Sequence, residues 1–372
     1  MRRLEADKIR VDTSDKFSHD SFQLMINSLS IKNFRCFKTV ELRDLGRFNV
    51  IVGESGSGKT ALIEAIYLPG NGAGVPVIYR NNRGMVTSAF SAAKPEYEAF
   101  FSDLFFKLST EFPIEIKLVG SYGNLRKTEI SFQPLTERPL LPEKELKGDI
   151  ITDKIFTFHT TDADKQESVQ QVNLVGGITI GGKHKEANIG FFSSSGVGSA
   201  QVLAQMLSAI RINNQEEKIE KTMRKLFPQI SNLSPELTGG FAEIYCRVAG
   251  LTKKVPLTLV SNGITKVLAM LLFIATHPDG VVLLDEVENG IYYKTLPQLW
   301  DVIIQFCIEL NVQIFASTHS KEFLENLTPL IEKYENDFRL IRTEGNDNGE
   351  HAARIFKGAN FAAALETGTE IR

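Results

Sequence analysis

The chain has 372 residues, 42% of them hydrophobic and 23% charged, with a formal net charge of −3. This length and apolar share suit one large domain or two ordinary ones with a substantial core, and exclude a fibrous or disordered chain. The slightly acidic balance gives no bulk attraction to nucleic acid or an anionic membrane, so DNA could be held only by a local basic groove.

Residues 1–27 are polar and lack an apolar signal core, so a tail is expected there rather than a secretory leader. "SLSIKNF" and "KTVELRDL" alternate like half-buried antiparallel strands. They lead into "FNVIV", a short apolar run that reads as a buried strand, followed at once by "GESGSGKT" and the helical "ALIEAI". Gly53, Gly58, Lys59 and Thr60 fit G-x-x-x-x-G-K-[ST] in the strand-to-helix setting that the motif requires. Glycines at 53, 56 and 58 allow backbone angles closed to other residues, so N–H groups of Glu54, Ser55 and Ser57 can turn inward on oxyanions. The helix N-terminus adds partial positive charge. Lys59 would reach the β- and γ-phosphates of a nucleotide, and Thr60 would offer its hydroxyl to Mg²⁺.

A Gly/Asn-rich loop containing Arg80 and Arg83, weak candidates for phosphate contact, comes next. Then come a helix over "PEYEAFFSDLFFKL", a hairpin over "FPIEIKLVGSYGNLRKTEISFQPL" and an exposed Pro/Glu/Lys-rich stretch at 134–155. Residues 160–200 are polar and glycine-rich with weak periodicity, which predicts a mobile or partner-dependent segment or an ordinary loop. A helix or helix pair ends before Pro228. The run "KVLAMLLFIAT" is too short to span a bilayer and reads as a buried helix, so no membrane partner is expected. Cys36, Cys246 and Cys307 have no ligand spacing and suit reduced thiols in a cytoplasm.

Three further motifs follow. In "VVLLDEVENG", four apolar residues form a central strand whose carboxyl end presents Asp285 and Glu286. Beside a phosphate loop, Asp285 would hold Mg²⁺ and Glu286 would orient or deprotonate the attacking water. In "VQIFASTHS", a second buried strand ends at His319, placed to touch a γ-phosphate or the attacking water. In "LTLVSNGITKVLAMLL", Ser261 and Gly263 precede a hydrophobic helix, as in a second anion site or an ordinary N-cap turn.

These four motifs, in this order, resemble the ATP-binding-cassette (ABC) type of ATPase head found in RecF, the SMC proteins and the OLD family. The chain looks most like the OLD-like AAA family ATP-binding proteins of bacteria, through "LSIKNFRCFKTVEL", "LLDEVENGIYYKTL", "IFASTHSKEFL" and "LETGTEIR". The resemblance covers residues 28–125 and 240–372 well and the middle poorly. It implies an α/β fold of ABC-type P-loop head: a mixed sheet flanked by helices, an antiparallel β subdomain and an inserted helical and loop lobe. The head would be split into 28–125 and 240–372 around a lobe at 126–239. By position, it makes Gly53 to Thr60 the Walker A loop, Asp285 and Glu286 Walker B with Glu286 the catalytic carboxylate, and His319 the switch histidine. Glu288, Asn289 and Gly290 would lie in the D-loop. Ser261 and Gly263 would be a signature contacting ATP held by a second subunit, so turnover would need a homodimer or higher oligomer. Tyr292 and Ile264 depart from the family pattern, and about fifty residues after His319 leave no room for a fused nuclease. The function implied is an ATPase switch over a separately encoded nuclease or toxin, in anti-phage defence. The alternatives are a RecF-like DNA-binding repair ATPase and a low-turnover, nucleotide-dependent scaffold.

Overall fold

The computed structural model describes residues 25–75, 94–120, 123, 125–134, 154–173, 179–193, 199–291, 295–346 and 348–357. Arg80, Arg83, Tyr292, most of the N-terminal tail, the 135–153 stretch and the C-terminal segment after 357 lie outside the described residues.

A six-stranded sheet forms the centre. Its strands are β3 (Phe48–Val52), β9 (Ile189–Phe192), β13 (Val281–Leu284), β14 (Gln313–Ser317), β15 (Phe338–Gly345) and β16 (His351–Lys357). They run in the order β16-β15-β3-β14-β13-β9, all parallel except the β15/β16 pair. Both faces of the parallel part are covered, which is why "FNVIV", "VVLL" and "QIFAS" are buried at every position. Ile51, Val281, Leu283, Phe315 and Ile341 point to one face and join one core cluster. Val50, Val52, Val282, Leu284, Ile314, Ala316 and Leu340 point to the other and join a second.

The first face packs on α1 (Lys59–Asn71), which carries Leu62, Ile63, Ala65 and Ile66. Beyond α1 lies a seven-stranded antiparallel sheet in the order β2-β1-β4-β5-β6-β7-β8. Its strands are β1 (Ile26–Phe34), β2 (Phe37–Arg43), β4 (Ile114–Gly120), β5 (Leu125–Pro134), β6 (Lys154–Thr161), β7 (Glu167–Asn173) and β8 (Thr179–Gly182). In the short helix α2 (Lys94–Ser102), Phe101 stacks on Phe156 of β6, with ring centroids 4.1 Å apart.

The second face packs on α3 (Ala200–Ile212), α4 (Glu216–Leu226), α5 (Asn262–Ala275), α6 (Leu296–Glu309) and α7 (Lys321–Lys333). A small antiparallel sheet of β10 (Ile230–Thr238), β11 (Phe241–Val248) and β12 (Val255–Pro256) lies against α3. α5 contains the apolar run singled out above; it is buried nearly all round because it is a core helix. Among the described residues, no helix is long and apolar enough to cross a membrane.

The architecture is mixed α/β with an antiparallel β portion, as the motif order implies. Residues 126–239, expected as one inserted lobe, are distributed: β5–β8 extend the large sheet, β9 enters the central sheet beside β13, and α3, α4 and β10 cover its second face. The weak periodicity of 160–200 has a physical source. β7 and β8 end the large sheet, and among residues 167–172 of β7 only Val172 is buried, so the two-residue alternation has little amplitude.

Two fully buried amides fasten the layers. Gln313, at the start of β14, accepts from the Ile26 N–H (2.8 Å) and donates to the carbonyls of Ile26 (2.8 Å) and Gly46 (2.7 Å), tying the large sheet to the central one. Asn49 of β3 donates to the carbonyls of Gly46 and Ile314 and accepts from the Gly46 N–H. Gln313→Leu would take this partner from the Ile26 N–H and carbonyl, leaving the Gly46 carbonyl to Asn49 alone, and should lower unfolding free energy by about 2–4 kcal/mol, measured by urea denaturation.

Candidate functional site

Every parallel strand of the central sheet ends at the same edge. β3 runs into the phosphate loop, β13 into Asp285 and Glu286, β14 into Thr318 and His319, and the carboxyl half of β15 carries Thr343 there. Side chains that can act together therefore meet where the sheet runs out of backbone partners.

The loop from 53 to 58 is shaped by its glycines. Gly53 has φ +148°, and a Cβ on it would lie 2.4 Å from the Thr343 carbonyl oxygen and 2.5 Å from Ser57 Oγ. Gly58 has φ +103° and abuts Phe37 and Cys36. Glu54, Ser55 and Gly56 stand exposed at the crest, while Ser57 is buried and its Oγ meets Thr343 Oγ1 at 2.7 Å. Thr343 in turn donates to the Val52 carbonyl at 3.1 Å, so β15 supports the loop from below. Lys59 is buried, and its ammonium donates to the carbonyls of Gly53 and Glu54, each at 2.7 Å. Burial lowers its pKa, and the negative charges of Asp285, Glu286 and Glu288 oppose that shift.

Ser317 links the two acidic residues. Its Oγ donates to Asp285 Oδ1 at 2.5 Å and accepts from the Glu286 N–H at 2.9 Å. Burial raises the Asp285 pKa, and the charge on Glu286 pushes the same way; the Ser317 bond, His319 and Lys59 pull it down. Glu286 has φ +47°, in the left-handed region, and its Oε2 accepts from the Asn289 side-chain amide at 2.6 Å. The His319 N–H donates to Glu288 Oε1 at 2.9 Å, while the His319 side chain is exposed.

A cavity of about 400 Å³ brings these parts together. Ser55, Gly56, Gly58, Lys59 and Thr60 line one side, and Glu286 and His319 another. Arg35, Cys36, Ala61 and Glu64 complete the wall. Ser261 and Gly263 are not part of that wall. Ser261 is the N-cap of α5, accepting from the Ile264 N–H at 3.4 Å, and a Cβ on Gly263 would lie 3.0 Å from the Gly290 carbonyl oxygen. They thus sit against the turn that follows Glu286.

Sequence reasoning overlooked Arg35, which lies in the β1–β2 turn with φ +50° and pairs with the buried carboxylate of Glu64 on α1. A cation inside "NFRCF", a turn between two apolar strands that leads straight to a phosphate loop, was the available signal. Burial pushes the neighbouring Cys36 thiol up to about 11, so it is a poor nucleophile at neutral pH. Ser317 and Thr343 were also overlooked; Ser317 is the polar residue that closes the apolar run of β14, whereas Thr343 lies inside β15 and is marked only by its place beside β3.

A glycine-cradled lysine at the amino end of α1, facing a carboxylate pair at the end of a nearby parallel strand, is the site of a P-loop nucleotide hydrolase. Residues 25–175 match the family described as "AAA ATPase domain", and residues 198–325 match "AAA domain, putative AbiEii toxin, Type IV TA system". The first match holds the phosphate loop; the second holds Ser261, Asp285, Glu286 and His319. The chain is an ATPase. It is 27% identical over 349 residues to the "ATP/GTP phosphatase" of Helicobacter pylori, covering 84% of this chain and 90% of that protein. A stretch of 49 residues is 47% identical to the DNA replication and repair protein RecF of Idiomarina loihiensis, 13% of this chain and 14% of that protein. In fold the chain is similar to an Smc head bound to the C-winged helix domain of ScpA, with a TM-score of 0.48 and 17% identity, covering 89% of this chain and 97% of that one.

Two outcomes follow. Gly53→Ala would drive a methyl into the Thr343 carbonyl and should weaken nucleotide affinity more than tenfold, read by titration with a fluorescent ATP analogue. Asp285→Asn tests the electrostatics. The raised pKa means that ionised Asp285 costs stability at neutral pH, and the cost vanishes as pH falls until folded and unfolded states are both protonated. Asp285→Asn should therefore raise the thermal midpoint at pH 7–8, with the gain fading toward pH 4, while turnover is lost.

Proposed function

We propose that the protein is an ATP-operated switch: two copies close on ATP and Mg²⁺, hydrolysis reopens them, and the cycle controls a separately encoded effector. The observation that carries this reading is the shared wall of Lys59, Thr60, Glu286 and His319 around one cavity. Lys59 would exchange the carbonyls of Gly53 and Glu54 for phosphate oxygens. Glu286 would take the proton of the attacking water, and His319 would contact the γ-phosphate. The hard oxygens of Thr60 and Asp285 suit Mg²⁺, which keeps several waters and takes phosphate oxygens besides one or two protein ligands. Its chemistry, when bound, is to neutralise charge on the β- and γ-phosphates.

Ser261 and Gly263 lie outside the cavity wall of their own protomer, which supports their service to a second copy, as the ABC arrangement requires. The nucleotide would then join two faces that each carry half of its ligands, and loss of the γ-phosphate would release them. We take residues 28–125 and 240–372 as the two parts of the head and 126–239 as the segment inserted between them. We place the switch in the cytoplasm and in anti-phage defence, with a nuclease or toxin as effector; the match of residues 198–325 to a family described by a toxin system supports the toxin part of this reading. A DNA clamp is the weaker reading. The outer face of α4 alternates Lys218, Lys221, Arg224 and Lys225 with Glu216, Glu217 and Glu220, a solvated mixture rather than a basic groove.

Lys59→Ala should reduce ATP affinity by at least about tenfold. Glu286→Gln should keep ATP binding, lower kcat by about a hundredfold or more, and accumulate an ATP-dependent dimer in analytical ultracentrifugation. Undiminished turnover in Glu286→Gln would refute the catalytic assignment. A Glu286→Gln protein that stays monomeric at saturating ATP would refute the switch.

A further inference from the structure

Lys266 is 6% exposed, in a helix whose residues 264–272 are all buried. A lysine is the least economical residue to bury there, because its ammonium must find acceptors inside the protein. It finds two backbone carbonyls, that of Asn289 at 2.5 Å and that of Glu286 at 3.4 Å. Both belong to the turn that carries the hydrolytic carboxylate.

Elsewhere the turn is held by the buried side chain of Val287, whose N–H donates to the Ser317 carbonyl at 3.3 Å. Glu286 adopts a left-handed backbone conformation that a non-glycine residue keeps only when its surroundings enforce it. Asn289 and Gly290 are exposed. Four bonds fix Glu286: Ser317 Oγ at its N–H, the Asn289 N–H (3.1 Å) and Lys266 at its carbonyl, and the Asn289 side-chain amide at its carboxylate. Lys266 also holds the Asn289 carbonyl, so it supports both the strained backbone and the residue that aims the carboxylate. About one turn before Lys266 the helix begins at the Ser261 edge, where Thr265 Oγ1 donates to the Ser261 carbonyl at 2.9 Å. Glu288, in the same turn, accepts from the His319 N–H.

We infer that Lys266 is a positioning residue that makes the Ser261–Gly263 edge and the Glu286–Asn289 turn move as one body, so that engagement of that edge aligns the carboxylate of Glu286. The inference rests on Glu286 being the hydrolytic carboxylate.

Lys266→Met keeps length and apolar packing but removes the ammonium. In the full chain it should leave affinity for a fluorescent ATP analogue within about threefold and lower kcat by about tenfold or more. Lys266→Arg, which restores a donor cation, should recover part of the rate. Adding Asn289→Ala to Lys266→Met should cost little beyond Lys266→Met alone, because both act through one turn. If Lys266→Met keeps kcat within about twofold while Glu286→Gln abolishes it, the coupling is wrong and the catalytic assignment stands. If Glu286→Gln retains turnover, the underlying reading fails instead. Equal losses in binding and rate for Lys266→Met, with no recovery in Lys266→Arg, would mark a purely structural lysine and overturn the inference. Should Lys266→Met not fold, Lys266→Gln is measured against the same limits.

Discussion

The parallel pairing of β3, β14 and β13 is the constraint on which the site depends. Ser317 pairs with Ile51 and Ala316 with Leu284, so the next residue of β13, Asp285, falls beside Ser317, and β3 delivers Gly53 two residues further along, past the same edge. Both faces of these strands are buried, so polar side chains can emerge only where the strands stop. Chemistry is thus confined to one edge by the same packing that stabilises the sheet. A one-residue slip between β13 and β14 would separate Ser317 from Asp285 and mispack the side chains of both buried faces, so register and site geometry are under one control.

The site was legible where its residues are contiguous. The phosphate loop, the acidic pair and His319 each sit in a short strand-plus-turn pattern whose chemistry follows from spacing. The central sheet was legible for the same reason, since β3, β13 and β14 are unbroken apolar runs. What escaped is what depends on tertiary neighbours. Thr343 looks like any strand threonine until β15 is placed beside β3, where it supports the phosphate loop. Lys266 looks like a polar residue on a helix until the turn after β13 folds over it. The strands of the 160–200 segment escaped because β7, near the sheet edge, buries too little to show a period.

The electrostatics gather three carboxylates, Asp285, Glu286 and Glu288, between two buried lysines. Neither lysine has a side-chain carboxylate as hydrogen-bond partner: Lys59 uses the carbonyls of Gly53 and Glu54, and Lys266 those of Glu286 and Asn289. Burial lowers the pKa of both ammonium groups, and the charges of Glu286 and Glu288, with Asp285 for Lys59, oppose that shift from a distance. A lysine locked in a direct ion pair would have to break it to meet a phosphate. One held by carbonyls exchanges weaker bonds for stronger, charge-assisted ones.

The two lysines occupy opposite ends of one mechanical chain. Lys59 stands on α1, which packs against the face of the sheet that looks toward the large antiparallel sheet; Lys266 stands on α5, on the other face. Between them lie β3, β14 and β13, whose close packing makes them stiff. On the proposed reading, a triphosphate at Lys59 would act on the edge from one side and a second copy engaging Ser261 would act on it from the other. Both would meet at the turn from Glu286 to Gly290, in which Asn289 and Gly290 are exposed and Val287 is buried. The alignment of Glu286 would then depend on these few residues, with the packed sheet as their common support.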